Sequence, residues 1–326
     1  MSNVEPRPGE MTCGAGTAAG GVEVIEARDV PLGGPRAMTV HRTLPTRDRS
    51  MIGAWCFADH YGPDTVEATG GMNVPPHPHT GLQTVSWLFV GEIEHRDSAG
   101  VHAMVLPGEL NLMSAGRGIS HSEVSTPGTD VLHGVQLWVA LPDAARNGRN
   151  GFQHHAPSPI RIGDATAYVF VGSVAGASSP VETATPLLGA EVHIPGGAEV
   201  DLDVDPAYEH GVLLDTDALV LDGTPLRRGD LGYVGTGRSS LHLENPASTT
   251  ARVILLGGTP FEEDIVMWWN FVGRTHEEIV EYRAAWEARD ERPGRFGTVG
   301  GWAPEDALPA PPLPSTHLKP RRRRNS

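Results

Sequence analysis

Two short stretches carry the residue types that do metal chemistry. Pro76-His77-Pro78-His79 holds two histidines two residues apart, and 42 residues beyond His79 the run Gly118-Ile119-Ser120-His121-Ser122-Glu123 holds a histidine and a glutamate at the same spacing. Along a β-strand, side chains two apart point to one face, so each stretch presents two donor groups on one side. Two such strands facing each other across a small barrel would bring three imidazoles and a carboxylate to one cation. Imidazole suits Fe, Zn, Cu and Ni, and the carboxylate shifts the set away from purely soft preferences. Four protein ligands leave two positions on an octahedral ion for substrate or dioxygen. Pro78 inside the first pair points to an edge strand or a bulge, and a bulge can re-aim a side chain toward a site.

The elements that must hold these groups are strands. In residues 22–141, runs such as RAMTVHRTL, GLQTVSWLFVG, LNLMSAG and VLHGVQLWVAL are separated by Gly, Pro, Asp or Asn, as strand ends should be. After a polar stretch a second block follows, with ATAYVFVGS, GAEVHIPG, HGVLLDTDALVLDG and ARVILLGG. Many short strands at even spacing predict an all-β sandwich or barrel. Pro107-Gly108-Glu109-Leu110 in the first block parallels Arg228-Gly229-Asp230-Leu231 in the second, which suggests duplication into two β-rich halves of about 100 residues each. Farther on, Thr275-His276-Glu277-Glu278 is a capping box. Ile279, Tyr282, Arg283 and Trp286 follow it at helical spacing, so a helix is expected over 276–289 with its apolar face on the body.

Composition bounds the rest. Gly (40) and Pro (28) make the 326-residue chain turn-rich, while 39% hydrophobic residues supply a core. The net charge is −15, and five of the 25 basic residues crowd the last eight, leaving 20 against 40 acidic elsewhere. So acidic a body argues against direct nucleic-acid or anionic-membrane binding. Cys13 and Cys56 rule out a disulfide scaffold and fit a reducing cytoplasm. No apolar h-region opens the chain, and the longest apolar stretch, around 135–141, falls far short of the ~20 residues that span a bilayer. The expected organisation is a loose tail over 1–21, a metal-binding barrel over 22–142 and a linker over 143–159. A second barrel follows over 160–260, then a docking segment with the helix over 261–290, and a disordered Pro/Arg-rich tail over 291–326.

At this point the chain resembles a known family. HPHTGLQTVSWLFVGEIEHRDSAG, PGELNLMSAGRGISHSE and HGVQLWVALP look very like the N-terminal half of the pirins of the cupin superfamily. The likeness extends upstream into LPTRDRSMIGAWCFADHYGP and covers about residues 22–142, while LLGGTPFEEDIVMWWNFVGRTHEEI is similar to the pirin C-terminal cupin region. The resemblance implies two cupin barrels (double-stranded β-helix, jelly-roll) stacked as a bicupin, with a C-terminal helix. It implies that His77, His79, His121 and Glu123 bind one Fe(II) per chain, with Zn, Cu, Ni, Mn or Co as alternatives on the same donors. The second cupin of pirins usually lacks metal. Residues 160–258 hold no His-x-His, and their one His-x-Glu (His242, Glu244) has no partner pair. Gln83 stands where cupins commonly carry Glu, four residues after the second His; in pirins the carboxylate comes instead from the position of Glu123, so the resemblance implies an intact site, with altered hydrogen bonding around it as the expected effect of the amide.

Several bacterial pirins resemble quercetin 2,3-dioxygenases. That implies a flavonol-like aromatic substrate opened with dioxygen, the ion acting as Lewis acid and Glu123 as the catalytic group that accepts the 3-hydroxyl proton. Other members are iron-bearing partners of transcription factors or metabolic enzymes, which implies the alternative of a non-enzymatic regulatory protein with a protein partner. No substrate-binding residue is assigned. Arg117 and Ser120 read equally as supports of the site or as turn contacts, and His133 and Gln136 as substrate contacts or packing. Trp87, Leu88 and Phe89 read as barrel core, Asp59 and His60 as a loop hydrogen-bond pair, and Cys56 as a small buried hydrophobe. Trp268 and Trp269 are expected to anchor the helix. The P-x-x-P spacings (Pro309 with Pro312, Pro311 with Pro314) and the RRRR block read as a solvated appendage.

Overall fold

The computed structural model describes residues 21–32, 38–288 and 294–320, so the expected tail over 1–21, all but its last residue, and the RRRR block lie outside the described residues. In the first half a seven-stranded antiparallel sheet runs in the order Gly151–His155, Leu110–Ser114, Leu82–Val90, Val131–Ala140, Trp55–Thr65, Met38–Leu44, Arg28–Leu32. A four-stranded sheet, in the order Asn73–His79, Ile119–Ser125, Ile93–Asp97, His102–Val105, makes the opposite wall. The second half repeats this strand for strand. Its large sheet runs Glu23–Ile25, Leu231–Val234, Glu209–Leu214, Ala251–Gly258, Leu187–Ile194, Ala165–Val171, Ile160–Ile162, and its small sheet Glu199–Asp203, Ser240–Glu244, Ala218–Leu221, Thr224–Arg227. The echoed turns fall at the same place in both halves, where the chain leaves the small sheet for the large one. There Gly108 (φ 72°) and Gly229 (φ 86°) take the left-handed backbone that favours glycine.

Two boundaries differ from the sequence reading. Glu23–Ile25, expected in the first barrel, pairs with Leu231–Val234 of the second, and Gly151–His155, expected in the linker, pairs with Leu110–Ser114 of the first. Local patterning marks a strand but carries no information about which sheet edge it will find.

Inside the second barrel the core is aliphatic, with Val192, Val200, Leu202, Leu241, Leu243 and Val253 buried together. Between the barrels a mixed cluster joins Trp55 and Trp87 to Phe170, Leu213 and Leu256, and Trp55 Nε1 donates to the carbonyls of Leu188 and Gly257 (both 3.1 Å). Asp215 of the second half adds a polar link, accepting on Oδ1 from His60 (2.7 Å) and His133 (2.6 Å) and on Oδ2 from Arg252 (3.2 Å). Asp59 and His60 are therefore not a loop pair. They alternate along one strand, Asp59 binding Arg42 on one face and His60 binding Asp215 on the other. Cys56 is buried.

Helix His276–Glu287 begins at Thr275, whose Oγ1 accepts from the Glu278 N–H at 3.2 Å, and buries Ile279, Tyr282 and Trp286 with Trp268 and Trp269. The following residues correct the expectation of a disordered tail. Over 294–320 the chain lies along the helix and the outer side of the small sheet of the first barrel. Leu308 N donates to Pro76 O (2.8 Å), Trp286 Nε1 to Leu308 O (2.8 Å) and Arg283 Nε to Pro311 O (2.7 Å). Phe296, Val299, Ala307, Ala310 and Leu318 are buried. Extended Pro-rich backbone keeps its carbonyls available, and here side chains of the helix satisfy them. No helix among the described residues is long and apolar enough to cross a membrane.

Candidate metal centre

The small sheet of the first barrel brings the chemistry together. Asn73–His79 is its edge strand, and it pairs with Ile119–Ser125 so that His77 faces His121 directly. The register slips by one residue between there and Glu123, which faces Val74. The bulge that Pro78 led one to expect thus falls at Pro75-Pro76, just before the histidines. On the other flank, Ile93–Asp97 sets His95 opposite Glu123 and Asp97 opposite His121. Gly81 (φ +66°) turns the chain immediately after His79, and a Cβ there would lie 2.4 Å from Val272 O, so glycine is required.

His77, His79 and His121 are fully buried, and their ligand nitrogens lie within 4.8 Å of one another. His77 Nδ1 donates to Pro75 O (2.9 Å) and His79 Nδ1 to Asn270 O (3.1 Å). A carbonyl only accepts, so both rings keep their lone pair on Nε2. His77 Nε2 is buried without a partner, while His79 Nε2 and His121 Nε2 face each other at 3.1 Å. Two imidazole nitrogens held at right angles ~2.1 Å from one cation are about 3 Å apart, so this spacing and the orphaned nitrogen fit a bound ion. Burial pushes all three imidazoles below the usual histidine range, His79 to about 3, and each is lowered further by neighbouring histidines. Neutral imidazole is the form that binds a metal.

Glu123 sits one step away from this trio. It is fully buried, groups with His95 and His121, and accepts from Ser86 Oγ at 3.1 Å. The structure therefore brings His77, His79 and His121 into one cluster and Glu123 into an adjoining one that shares His121. Ser86 Oγ also lies 3.0 Å from Gln136 Oε1, and its single proton serves one of the two acceptors at a time. Strand alternation puts Phe57, Asp59 and Tyr61 on the same inner face, across from Gln136 and Trp138. Trp138 stacks on Phe57 (4.0 Å) and meets His79 edge-on (5.1 Å), and Arg42 is locked to Asp59 through two bonds of 2.6 and 2.8 Å. Tyr61 Oη, Gln136 Nε2 and Trp138 Nε1 are buried there without partners. Burial, with Glu123 and Asp59 nearby, raises the Tyr61 hydroxyl well above its ordinary value, so it stays a donor.

Of the other residues singled out in the sequence, Gln136 lies beside Glu123, whereas His133 points away to Asp215. Ser120 Oγ donates to Phe296 O (3.0 Å), and Gln83 Nε2 to Ser114 Oγ (2.8 Å). His242 points outward and forms a 2.8 Å contact with Asp201. Sequence reasoning missed His95 and Asp97. Their signal was the same i, i+2 spacing, inside EHRDS.

Comparison with known proteins agrees with this architecture. The chain matches the Pirin domain over residues 37–139 and the pirin C-terminal cupin domain over 189–292. It is 42% identical to a Pseudomonas aeruginosa protein named as a candidate quercetin 2,3-dioxygenase, over 89% of this chain and 90% of that one. A Caulobacter vibrioides pirin-like protein is 33% identical over 81% of this chain and 92% of its own length. The crystal structure of a quercetin 2,3-dioxygenase from Acinetobacter baumannii superposes with a TM-score of 0.85 at 35% identity, covering 91% of this chain and 97% of that one.

Proposed function

The chain belongs to the pirin family of two-barrel cupins, and from that premise we propose that it is an Fe(II)-dependent dioxygenase opening a flavonol such as quercetin. The observation that carries the reading is the convergence of His77, His79 and His121, with the Nε2 lone pairs of His77 and His79 turned inward and that of His77 unpartnered. Glu123 is proposed as the fourth ligand and the catalytic carboxylate. The unpartnered donors of Tyr61, Gln136 and Trp138 support a substrate rich in oxygen acceptors, because an unmet buried donor costs about 1–3 kcal/mol.

When bound, the ion supplies Lewis acidity at the substrate's oxygen. The chain's own residues do the rest. Glu123 accepts the 3-hydroxyl proton on its carboxylate. Ser86 passes its hydrogen bond from Glu123 to Gln136 Oε1 as that carboxylate becomes protonated, since Ser86 Oγ reaches both. The apolar wall of Phe57 and Trp138 keeps water from the reacting ring. The same reading puts its work in the cytoplasm, a location that the low cysteine count supports.

The test is elemental analysis of freshly purified protein followed by aerobic incubation with quercetin, reading the loss of its visible absorbance. One iron per chain and turnover abolished by His121→Ala are expected. Unchanged turnover in His121→Ala would sink the enzymatic reading, and iron bound without any turnover would favour the regulatory alternative.

A further inference from the structure

The three clustered histidines solve one problem in two ways. His77 and His79 have their proton fixed on Nδ1 by backbone carbonyls, those of Pro75 and Asn270. His121 has no carbonyl. Its Nδ1 lies 3.3 Å from Nδ1 of His95, and a second imidazole can donate or accept, so that contact alone leaves the proton unplaced. The answer comes from one residue farther out. His95 Nε2 faces Asp97 Oδ2 at 3.5 Å, and Asp97 is itself fixed, its Oδ1 accepting from the N–H groups of Ala99 (2.9 Å) and Val101 (3.0 Å).

We infer that Asp97 is a positioning residue which, through His95, dictates that His121 carries its proton on Nδ1 and offers its Nε2 lone pair to the ion. The inference rests on the metal reading given above. A carboxylate only accepts, so His95 must present Nε2–H to Asp97 and its Nδ1 lone pair to His121. His121 then donates from Nδ1, which frees the nitrogen that faces His79. The opposite arrangement would put a proton on His121 Nε2, where it would be donated to the His79 Nε2 lone pair at 3.1 Å and close the site to an ion, and it would turn a His95 lone pair against the Asp97 carboxylate. Register supports the relay, because Asp97 and His95 stand on the strand beside His121 and Glu123. Phe152, from the strand that the sequence had placed in a linker, packs on the His95 ring at 5.1 Å and holds it in place.

Asp97→Asn is the discriminating variant. The amide oxygen still accepts from Ala99 and Val101, which turns the NH2 group toward His95 and reverses the relay without removing a turn contact. Long-range proton–nitrogen NMR on full-length, chelator-stripped protein labelled at histidine nitrogens reads which ring nitrogens are protonated. The expected result is Nδ1–H on His121 and Nε2–H on His95 in the parent protein, both reversed in Asp97→Asn. Cobalt(II) affinity should fall about 10–100-fold in the variant, the range for such supporting partners, with unchanged circular dichroism. Finding His121 protonated at Nε2 in the parent, or cobalt(II) bound equally tightly by a folded variant, overturns the relay. If Asp97→Asn does not fold, the parent's proton positions decide alone. A parent protein with the expected positions that takes up no cobalt(II) would sink the metal reading and leave the relay standing.

Discussion

Where the first barrel sets His77 across from His121, the second sets Val200 across from Leu243 and Leu202 across from Leu241. Strand order, turn position and pairing are the same, yet one interior is lined with imidazoles and a carboxylate and the other with aliphatic side chains. The second barrel shows that this fold closes on hydrophobic burial alone. The polar groups of the first are thus not required by the fold, and burying them opposes folding unless something satisfies them. The one His-x-Glu of the second half shows how little a motif means without its register. His242 and Glu244 occupy the outward positions of a strand whose inward ones are Leu241 and Leu243.

Matched deletions in the two barrels sharpen that contrast most. His121→Ala should lower metal affinity by more than the roughly 100-fold upper end for supporting residues, and isothermal titration with cobalt(II) reads it. Leu243→Ala at the corresponding wall should leave metal binding intact and cost about 2–5 kcal/mol of stability in denaturant unfolding. If Leu243→Ala strips the metal as thoroughly as His121→Ala does, the division between a chemical barrel and a structural one is wrong.

Acid should separate the barrels next. In metal-free protein the first barrel holds His77, His79 and His121 neutral, with His79 brought down to about 3, whereas the second holds only His210 in this way, at about 4. A histidine whose folded value is lowered binds fewer protons folded than unfolded. Its contribution is intact above pH ~6.5 and is lost as pH falls toward the folded value. The first barrel should therefore lose stability over about pH 6.5 to 3, by an amount on the order of a few kcal/mol. The second should lose less, between pH 6.5 and about 4. Hydrogen exchange followed against pH should show the amides of residues 73–79 and 119–125 released first. Saturating metal should protect that sheet, because bound cations compete with protons for the same nitrogens. Simultaneous release from both barrels would contradict the asymmetry.

How much of this was legible in the sequence depends on how far apart the deciding residues lie. His77, His79, His121 and Glu123 could be put on shared faces because period-two spacing is local, and the repeated Gly turns gave away the duplication for the same reason. His95 and Asp97 obey that rule too, but in isolation their strand offers no reason to prefer metal support over packing. Asn270 was invisible, since its backbone carbonyl, not its side chain, orients His79 from 191 residues away. The exchanged edge strand Glu23–Ile25 was illegible because pairing partners are a property of the assembled sheet. The C-terminal segment misled through its average. Its prolines and alanines suggest disorder, while Phe296, Val299 and Leu318 each find a buried seat.

That segment is also where the two barrels differ on their outer faces. The second barrel shows Glu199, Asp201, His242 and Glu244 to solvent or to one another. On the matching face of the first, Ser120 donates to Phe296 O and Ser122 Oγ accepts from Trp302 Nε1 at 3.0 Å. The strap therefore braces the strand that carries His121 and Glu123 from behind, at positions that alternate with them. Trp302→Phe keeps the ring and removes one hydrogen bond, so the expected cost is about 1 kcal/mol, with a small rise in amide exchange confined to residues 119–125. The matching change on the second barrel, His242→Gln, breaks only exposed contacts and should move stability by less than about 0.5 kcal/mol. Equal effects of the two substitutions would mean that the strap merely covers the sheet and does not support the strand beneath it.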